Sequence, residues 1–222
     1  MKQNKDKLAL FDFCDTLVGF QTANQYVRYI VKNFSTSYVK LRHLFYILLL
    51  KLRVIKILES LFPSNNIQKR IILWQIKGVK KDVIDIAAKE FYLNMIKPNL
   101  ISKTMDELQK MISNGWEIAI VSGGYNVYIE YFAQDYGIKA ENIIANKLVF
   151  RNNIFTGTFD VDCMGEMKVK MLCEHFQRDK YFIIAYSDSE SDMPMLKWAD
   201  EGYVIYKTPN WIKSNNLNMI VW

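Results

Sequence analysis

The stretch LALFDFCDTL, Leu8 to Leu17, constrains the fold of this chain more than any other. Leu8 to Phe11 form an apolar run that reads as a short buried strand. It stops abruptly at Asp12, and the polar residues Asp15 and Thr16 follow within one turn's length. A carboxylate left alone in low dielectric is costly, so it has to be paired, metal-bound or protonated. A strand that delivers Asp12 to the mouth of a sheet therefore points either to a site or to an aspartate capping the next helix.

Beyond this strand the chain changes texture twice. Phe20 to Phe34 carries apolar residues at helical spacing, and Tyr38 to Phe62 continues as a Leu/Ile/Arg/Lys segment that must be one long helix or two short ones. Pro63 with Ser64, Asn65 and Asn66 breaks it. Ile67 to Ile76 and Lys81 to Met95 are helical again, before Lys97, Pro98 and Asn99 make a second break. Residues from about Gly19 to Lys97 thus read as all-helical.

After Pro98 helices and strands alternate. Helix Leu100 to Ser113 leads to strand Trp116 to Val121, then Ser122-Gly123-Gly124 and a helix from Tyr125 to Tyr136. A hairpin from Ile143 to Phe159 turns at Asn152-Asn153. Helix Gly165 to Phe176, strand Tyr181 to Tyr186, the polar run Ser187 to Asp192, helix Met193 to Trp198 and strand Gly202 to Tyr206 complete the pattern.

Half of the 222 residues are hydrophobic, enough for a substantial core in one large domain or one and a half. Lys and Arg number 29 against 23 Asp and Glu, and the resulting +6 favours anionic partners such as phosphorylated metabolites, acidic lipid surfaces or nucleic acid. No nucleic-acid module is present and the lysines are scattered, so nucleic acid is not an expected partner. The segment MKQNKDK precedes only a short apolar run, so no export signal is read, and the sequon Asn33-Phe34-Ser35 is a chance match. Cys14, Cys163 and Cys173 make no CxxC. Neither a disulfide framework nor a zinc site is indicated, and a reducing cytoplasm is the expected setting. His43 and His175 lack a serine elbow or metal-ligand spacing and read as structural.

Three strands end in polar clusters: Asp12 with Asp15, Ser122 with Gly123 and Gly124, and Asp188 with Asp192. In an open parallel α/β sheet the carboxyl ends lie on one edge and ligands bind in the crevice outside them, so these clusters converge. Aspartates supply hard oxygen ligands for magnesium. Ser122 and the N–H groups of two glycines suit phosphate oxygens, and Lys168 or Lys170, after Gly165, adds a cation.

FDFCDTL, VSGGY, GEMK and YSDSESDMPML resemble, in order and spacing, the four motifs of the haloacid dehalogenase (HAD) superfamily. The resemblance is to its phosphoserine-phosphatase-like branch, in which a helical cap follows the first motif. It covers the whole chain and implies an α/β fold with a Rossmann-like core and a mostly parallel sheet, residues 1–18 and 99–222. Residues 19–98 would be an inserted all-helical cap domain. It further implies a magnesium-dependent phosphatase that hydrolyses a small phosphate monoester through an aspartyl-phosphate. Asp12 would be the nucleophile, Ser122 and Lys168 would hold the phosphoryl group beside Gly123 and Gly124, and Asp12 and Asp188 would ligate magnesium. Asp192 would support the metal or its waters, and Cys14 would offer it a backbone carbonyl.

One position departs from the family pattern. Its phosphatases usually carry a second aspartate two positions after the nucleophile, to protonate the leaving group and then activate water. Here that position is Cys14, with Asp15 one residue later. A thiol with an ordinary pKa of roughly 8.5 is a weak acid for that task. Three readings stay open: Asp15 serves as acid and base, the leaving group needs little acid, or the protein is a catalytically impaired phosphate-binding relative. The first is preferred, and it requires a kinked loop, because in an extended segment Cys14 and Asp15 point to opposite sides. Other chemistry on the same fold is a further alternative.

Gln21 lies nine positions after Asp12, where phosphoserine phosphatases carry a glutamate that receives the substrate's ammonium. A neutral amide cannot replace that charge, which argues against phosphoserine. Arg70 resembles the family's carboxylate-binding arginine or is a solvated helix-face residue. The run Leu44 to Leu50, flanked by Lys40, Arg42, Lys51, Arg53 and Lys56, is far too short to span a bilayer, which takes roughly 20 apolar residues. The core of the cap is its expected place. A dimer contact or a membrane-facing surface are the other readings, the last implying a lipid phosphate as substrate.

Overall fold

A computed structural model describes residues 5–62, 67–205 and 217–220. The expected break at Pro63 to Asn66 and the final residue of the last expected strand, Tyr206, lie outside them.

Strand β1 (Asp6–Phe11) lies near the middle of a six-stranded sheet, and Leu8, Ala9, Leu10 and Phe11 are completely buried. The other strands are β2 (Glu117–Tyr125), β3 (Ile143–Asn146), β6 (Tyr181–Ser187), β7 (Glu201–Ile205) and β8 (Asn218–Ile220), while β4 (Leu148–Arg151) and β5 (Ile154–Phe159) form a separate hairpin. The sheet order is β3-β2-β1-β6-β7-β8 and every pairing is parallel. A parallel sheet has both faces covered, which is why its central strands read as unbroken apolar runs. It also puts all strand carboxyl ends on one edge. Just below that edge Phe11, Tyr186 and Tyr203 lie side by side in register, with ring centroids 4.5 and 5.2 Å apart.

Between β1 and β2 come helices α1 (Thr22–Asn33), α2 (Ser37–Lys51), α3 (Val54–Leu61), α4 (Ile67–Trp74) and α5 (Lys81–Phe91), with a π-turn at Tyr92–Ile96. The chain enters and leaves this block side by side: the Gly19 N–H donates to the Asn99 carbonyl at 3.0 Å and the Ile101 N–H to the Leu17 carbonyl at 2.9 Å. The remaining helices are α6 (Ser102–Ser113), α7 (Asn126–Asp135), α8 (Glu166–His175) and α9 (Met193–Trp198). Phe91 joins the block to the sheet, its ring lying 5.4 Å from those of both Tyr26 on α1 and Tyr128 on α7.

Two local expectations change. Strand β2 runs on through Gly123 and Gly124 to Tyr125, and because Ser122 pairs with Ala145 and Tyr125 with Asn146 the two glycines form an unpaired bulge against β3. Ile143 to Asn146 pairs with the main sheet rather than with the hairpin, which is confined to β4 and β5 around Asn152 and Asn153 (φ 49° and 60°), the turn geometry their side chains tolerate. That hairpin packs on the helical block through a backbone pair: Gly78 N–H to the Phe155 carbonyl and Phe155 N–H to the Val79 carbonyl, each 2.9 Å.

The larger correction concerns the run Leu44 to Leu50, which is not the core of the helical block. Tyr38 to Phe62 is two helices that meet at Arg53, whose φ of 56° is left-handed. Only Val39, Tyr46 and Ile55 are buried in it. The main neighbours of α2 are α1, α3 and α4, so a helix that is apolar around most of its circumference has too few partners to cover it. No helix among the described residues is long and apolar enough to cross a membrane.

The contrast between hub and surface is measurable. Phe91→Ala should cost about 3–5 kcal/mol in urea unfolding, whereas Leu44→Gln should change stability by less than about 0.5 kcal/mol. A large loss at Leu44 would restore the core reading.

Candidate active site

Asp12 is the first residue beyond β1, and its N–H still pairs with the Tyr186 carbonyl at 2.9 Å, so the sheet fixes its backbone. Its carboxylate is buried and receives Lys168 Nζ at 2.7 Å on Oδ1. The same ammonium donates to Asp192 Oδ2 at 2.7 Å, and Ser187 Oγ donates to that oxygen at 2.6 Å. Lys168, on the first turn of α8, is thus completely enclosed between two buried carboxylates. Burial alone would lower its pKa, but Asp12 and Asp192 outweigh burial and raise it, so the ammonium stays charged. The Asp12 carboxyl is pushed up by burial, with Asp192 adding and Lys168 opposing.

Thr16 sits on the other side of Asp12. Its Oγ1 lies 3.2 Å from both Asp12 Oδ2 and Asp188 Oδ1, and its single proton serves one of them at a time. It also accepts the Asp188 N–H at 3.2 Å. Asp188 is pushed up to about 6 by burial and by nearby Asp15.

Ser122 is completely buried at the end of β2, where its Oγ accepts the Gly124 N–H at 3.0 Å. The two glycines are dictated by crowding. A Cβ at Gly123 would fall 2.4 Å from Met164 Sδ, and one at Gly124 2.7 Å from Tyr128 Oη.

Asp12, Cys14, Ser122, Gly123, Gly124, Lys168, Asp188 and Asp192 line one cavity of about 380 Å³. The helical block supplies the opposite wall with Gln21, Asn24, Glu59, Gln68 and Lys69. Of the residues singled out by sequence, two stand apart. Arg70 is exposed and outside the lining; the cation that α4 presents is its neighbour Lys69, which forms an ion pair with Asp162 across the gap between block and sheet. Asp15 has the kink that an acid/base role requires, with φ 54°, yet its carboxylate lies outside the lining and accepts Gln21 Nε2 at 2.6 Å.

Cys14 does face the cavity. Its Sγ lies 3.0 Å from Thr22 Oγ1, which in turn lies 2.8 Å from Tyr128 Oη. Burial first and Asp12 second push the thiol up to about 12, so it is neutral at physiological pH. Lys69, Asp162 and Thr16 were not assigned site roles from sequence. Thr16 sits inside the first motif, but nothing in residue order shows that Lys69 and Asp162 meet.

A family profile described as haloacid dehalogenase-like hydrolase matches residues 9–197. The chain belongs to this family of hydrolases. A phosphoserine phosphatase of Lactococcus lactis subsp. lactis (strain IL1403) is 26% identical over 150 residues, which is 66% of this chain and 64% of that protein's length. Among solved structures, a protein of unknown function from Bordetella pertussis Tohama I superposes with a TM-score of 0.79 at 17% identity, covering 98% of this chain and 99% of that one. A phospho-aspartyl intermediate analogue of phosphoserine phosphatase superposes with a TM-score of 0.58 at 18% identity, covering 98% and 94%. These likenesses establish the α/β core with its inserted helical block.

Removal of the buried cation tests the charge arrangement. Lys168→Met leaves Asp12 and Asp192 buried without a counter-charge, at a cost of about 3–5 kcal/mol at pH 8. Carboxyls whose folded pKa is raised bind protons more readily folded than unfolded, so the variant should regain stability as pH falls toward 5. A pH-independent loss in urea unfolding would contradict the arrangement.

Proposed function

We propose that this protein is a magnesium-dependent phosphatase acting on small phosphate monoesters, with Asp12 as nucleophile. The observation that carries the reading is the Lys168 ammonium fixed against Asp12 on the cavity floor, beside Ser122 and the paired glycines. An oxygen of Asp12 attacks phosphorus and the bond to the leaving oxygen breaks. Lys168 and Ser122 meet the charge on the phosphoryl oxygens. Water then attacks the acyl phosphate at phosphorus, releasing inorganic phosphate and restoring the carboxylate.

The donor set fits magnesium. Asp12 and Asp188 are hard oxygen ligands on either side of Thr16, and Asp192 Oδ1 is buried with no hydrogen-bond partner among the described residues. Asp12 and Asp188 would hold it, with Cys14 through its carbonyl and Asp192 behind them. Bound there, it would polarise the phosphoryl group.

Proton transfer is the weak step. With a pKa of about 12, on the order of one Cys14 in 10⁵ is a thiolate at pH 7, so Cys14 is a poor base for activating water. Asp15 reaches the cavity only by releasing Gln21. Substrates with good leaving groups therefore suit this site best.

The helical block, residues 19–98, acts in this proposal as the cap, and the paired segments Leu17–Gly19 and Asn99–Ile101 as its hinge. Its cavity wall is polar and carries Glu59 and Lys69, which suits a small charged leaving group. The name of the Lactococcus relative supports a phosphatase. Gln21 in the cavity wall argues against phosphoserine itself. Cytoplasmic placement belongs to the same proposal and rests on three free thiols.

Release of phosphate from p-nitrophenyl phosphate and from sugar, amino-acid and lipid phosphates tests the reading. Activity should require magnesium and vanish in Asp12→Asn; silence across the panel with magnesium bound would sink it. Cys14→Asp should raise kcat on substrates with poor leaving groups by about 10²-fold and change p-nitrophenyl phosphate turnover far less. Equal effects on both would show that proton supply is not limiting.

A further inference from the structure

We propose that the α2–α3 face of the helical block docks this protein on an anionic lipid surface. Tyr38, Leu41, Phe45, Leu48 and Leu52 recur every three or four residues, which places them along one side of α2. Their exposures are 74, 65, 49, 49 and 61%. Beyond the bend at Arg53, Ile57, Leu61 and Phe62 are exposed by 55, 64 and 51%. Single exposed apolar residues are ordinary, but five along one side of α2 followed by three more at α3 mark a surface that is covered in use.

The charges on this face choose the partner. Lys40, Lys51, Arg53 and Lys56 are all exposed beside the stripe. The one acid between Ser37 and Phe62 is Glu59, which lines the catalytic cavity instead. Arg42 is turned back onto the Trp74 ring and the Lys77 carbonyl, so it is not counted in the face. Lysine stems lying along apolar surface with their ammonium groups in a layer of phosphates are the usual partners of such a stripe.

A second copy of the chain would also find helical spacing to pack against. It would, however, set Lys40, Lys51, Arg53 and Lys56 against another set of cations with no acid to pair them, whereas an anionic leaflet attracts all four. The inference stands apart from the catalytic reading. The two meet at α3, which carries Ile57 and Leu61 on this face and Glu59 in the cavity wall, so docking sets the cavity close to the lipid surface.

Co-sedimentation of the full chain with vesicles tests it. The protein should bind vesicles of phosphatidylcholine with phosphatidylglycerol, bind phosphatidylcholine alone about tenfold or more weakly, and be released by high salt. Lys40→Glu with Lys51→Glu, and separately Leu41→Ser with Leu48→Ser, should each weaken binding by about tenfold or more. Both pairs are at the surface, so circular dichroism and hydrolysis of a soluble substrate should match the parent. Failure of the parent to bind anionic vesicles, or unchanged binding in both variants, would overturn the proposal. So would dimerisation in light scattering that Leu41→Ser with Leu48→Ser abolishes while vesicles remain unbound.

Discussion

The contact on which the site depends is the Lys168 ammonium enclosed between Asp12 and Asp192. It joins the carboxyl end of β1, the first turn of α8 and the loop after β6, segments far apart in the chain. Each charge is tolerable in the interior only because the others are there, so folding and site assembly are one event. The arrangement also fixes protonation. The cation stays charged because two carboxylates face it, while burial holds the Asp12 carboxyl above the usual carboxylate range with Lys168 opposing.

Around this floor the architecture separates rigidity from adaptation. The parallel sheet, with Phe11, Tyr186 and Tyr203 aligned beneath the edge, fixes the backbone at Asp12. The opposite wall comes from the helical block, which is tied to the sheet by the paired segments near Gly19 and Asn99, by the ring cluster at Phe91 and by the Lys69–Asp162 ion pair. Of these the ion pair spans the gap beside the cavity. The hairpin β4–β5, placed in sequence between β3 and β6, leaves the sheet and packs on the block.

How much of this was legible in residue order depends on the range of the interaction. The helices and strands came from periodicity, and boundary differences are largest where the backbone is unusual, as at Gly123–Gly124 and Arg53. Asp12, Ser122, Lys168, Asp188 and Asp192 were legible because each sits at a motif that a parallel sheet must gather on one edge. Arg70 was singled out where Lys69 lines the cavity, because one helical residue turns the side chain by 100° and sequence spacing across a cap does not set its phase. The run Leu44 to Leu50 read as core because burial is inferred from apolarity, yet burial requires neighbours, and α2 has them on one side only.

The sequence by itself determined the alternating α/β core, the helical insertion, the family and the residues converging on the sheet edge. All of these follow from local periodicity, from motif order and from the geometry common to parallel sheets. Only the tertiary structure decided that the half-buried Cys14 thiol is held neutral, that Asp15 is turned toward Gln21, and that Lys69 meets Asp162. It alone also decided that an apolar, basic helix pair faces outward. These depend on which groups stand next to one another and on how much water reaches them, quantities fixed by packing between distant segments rather than by residue order.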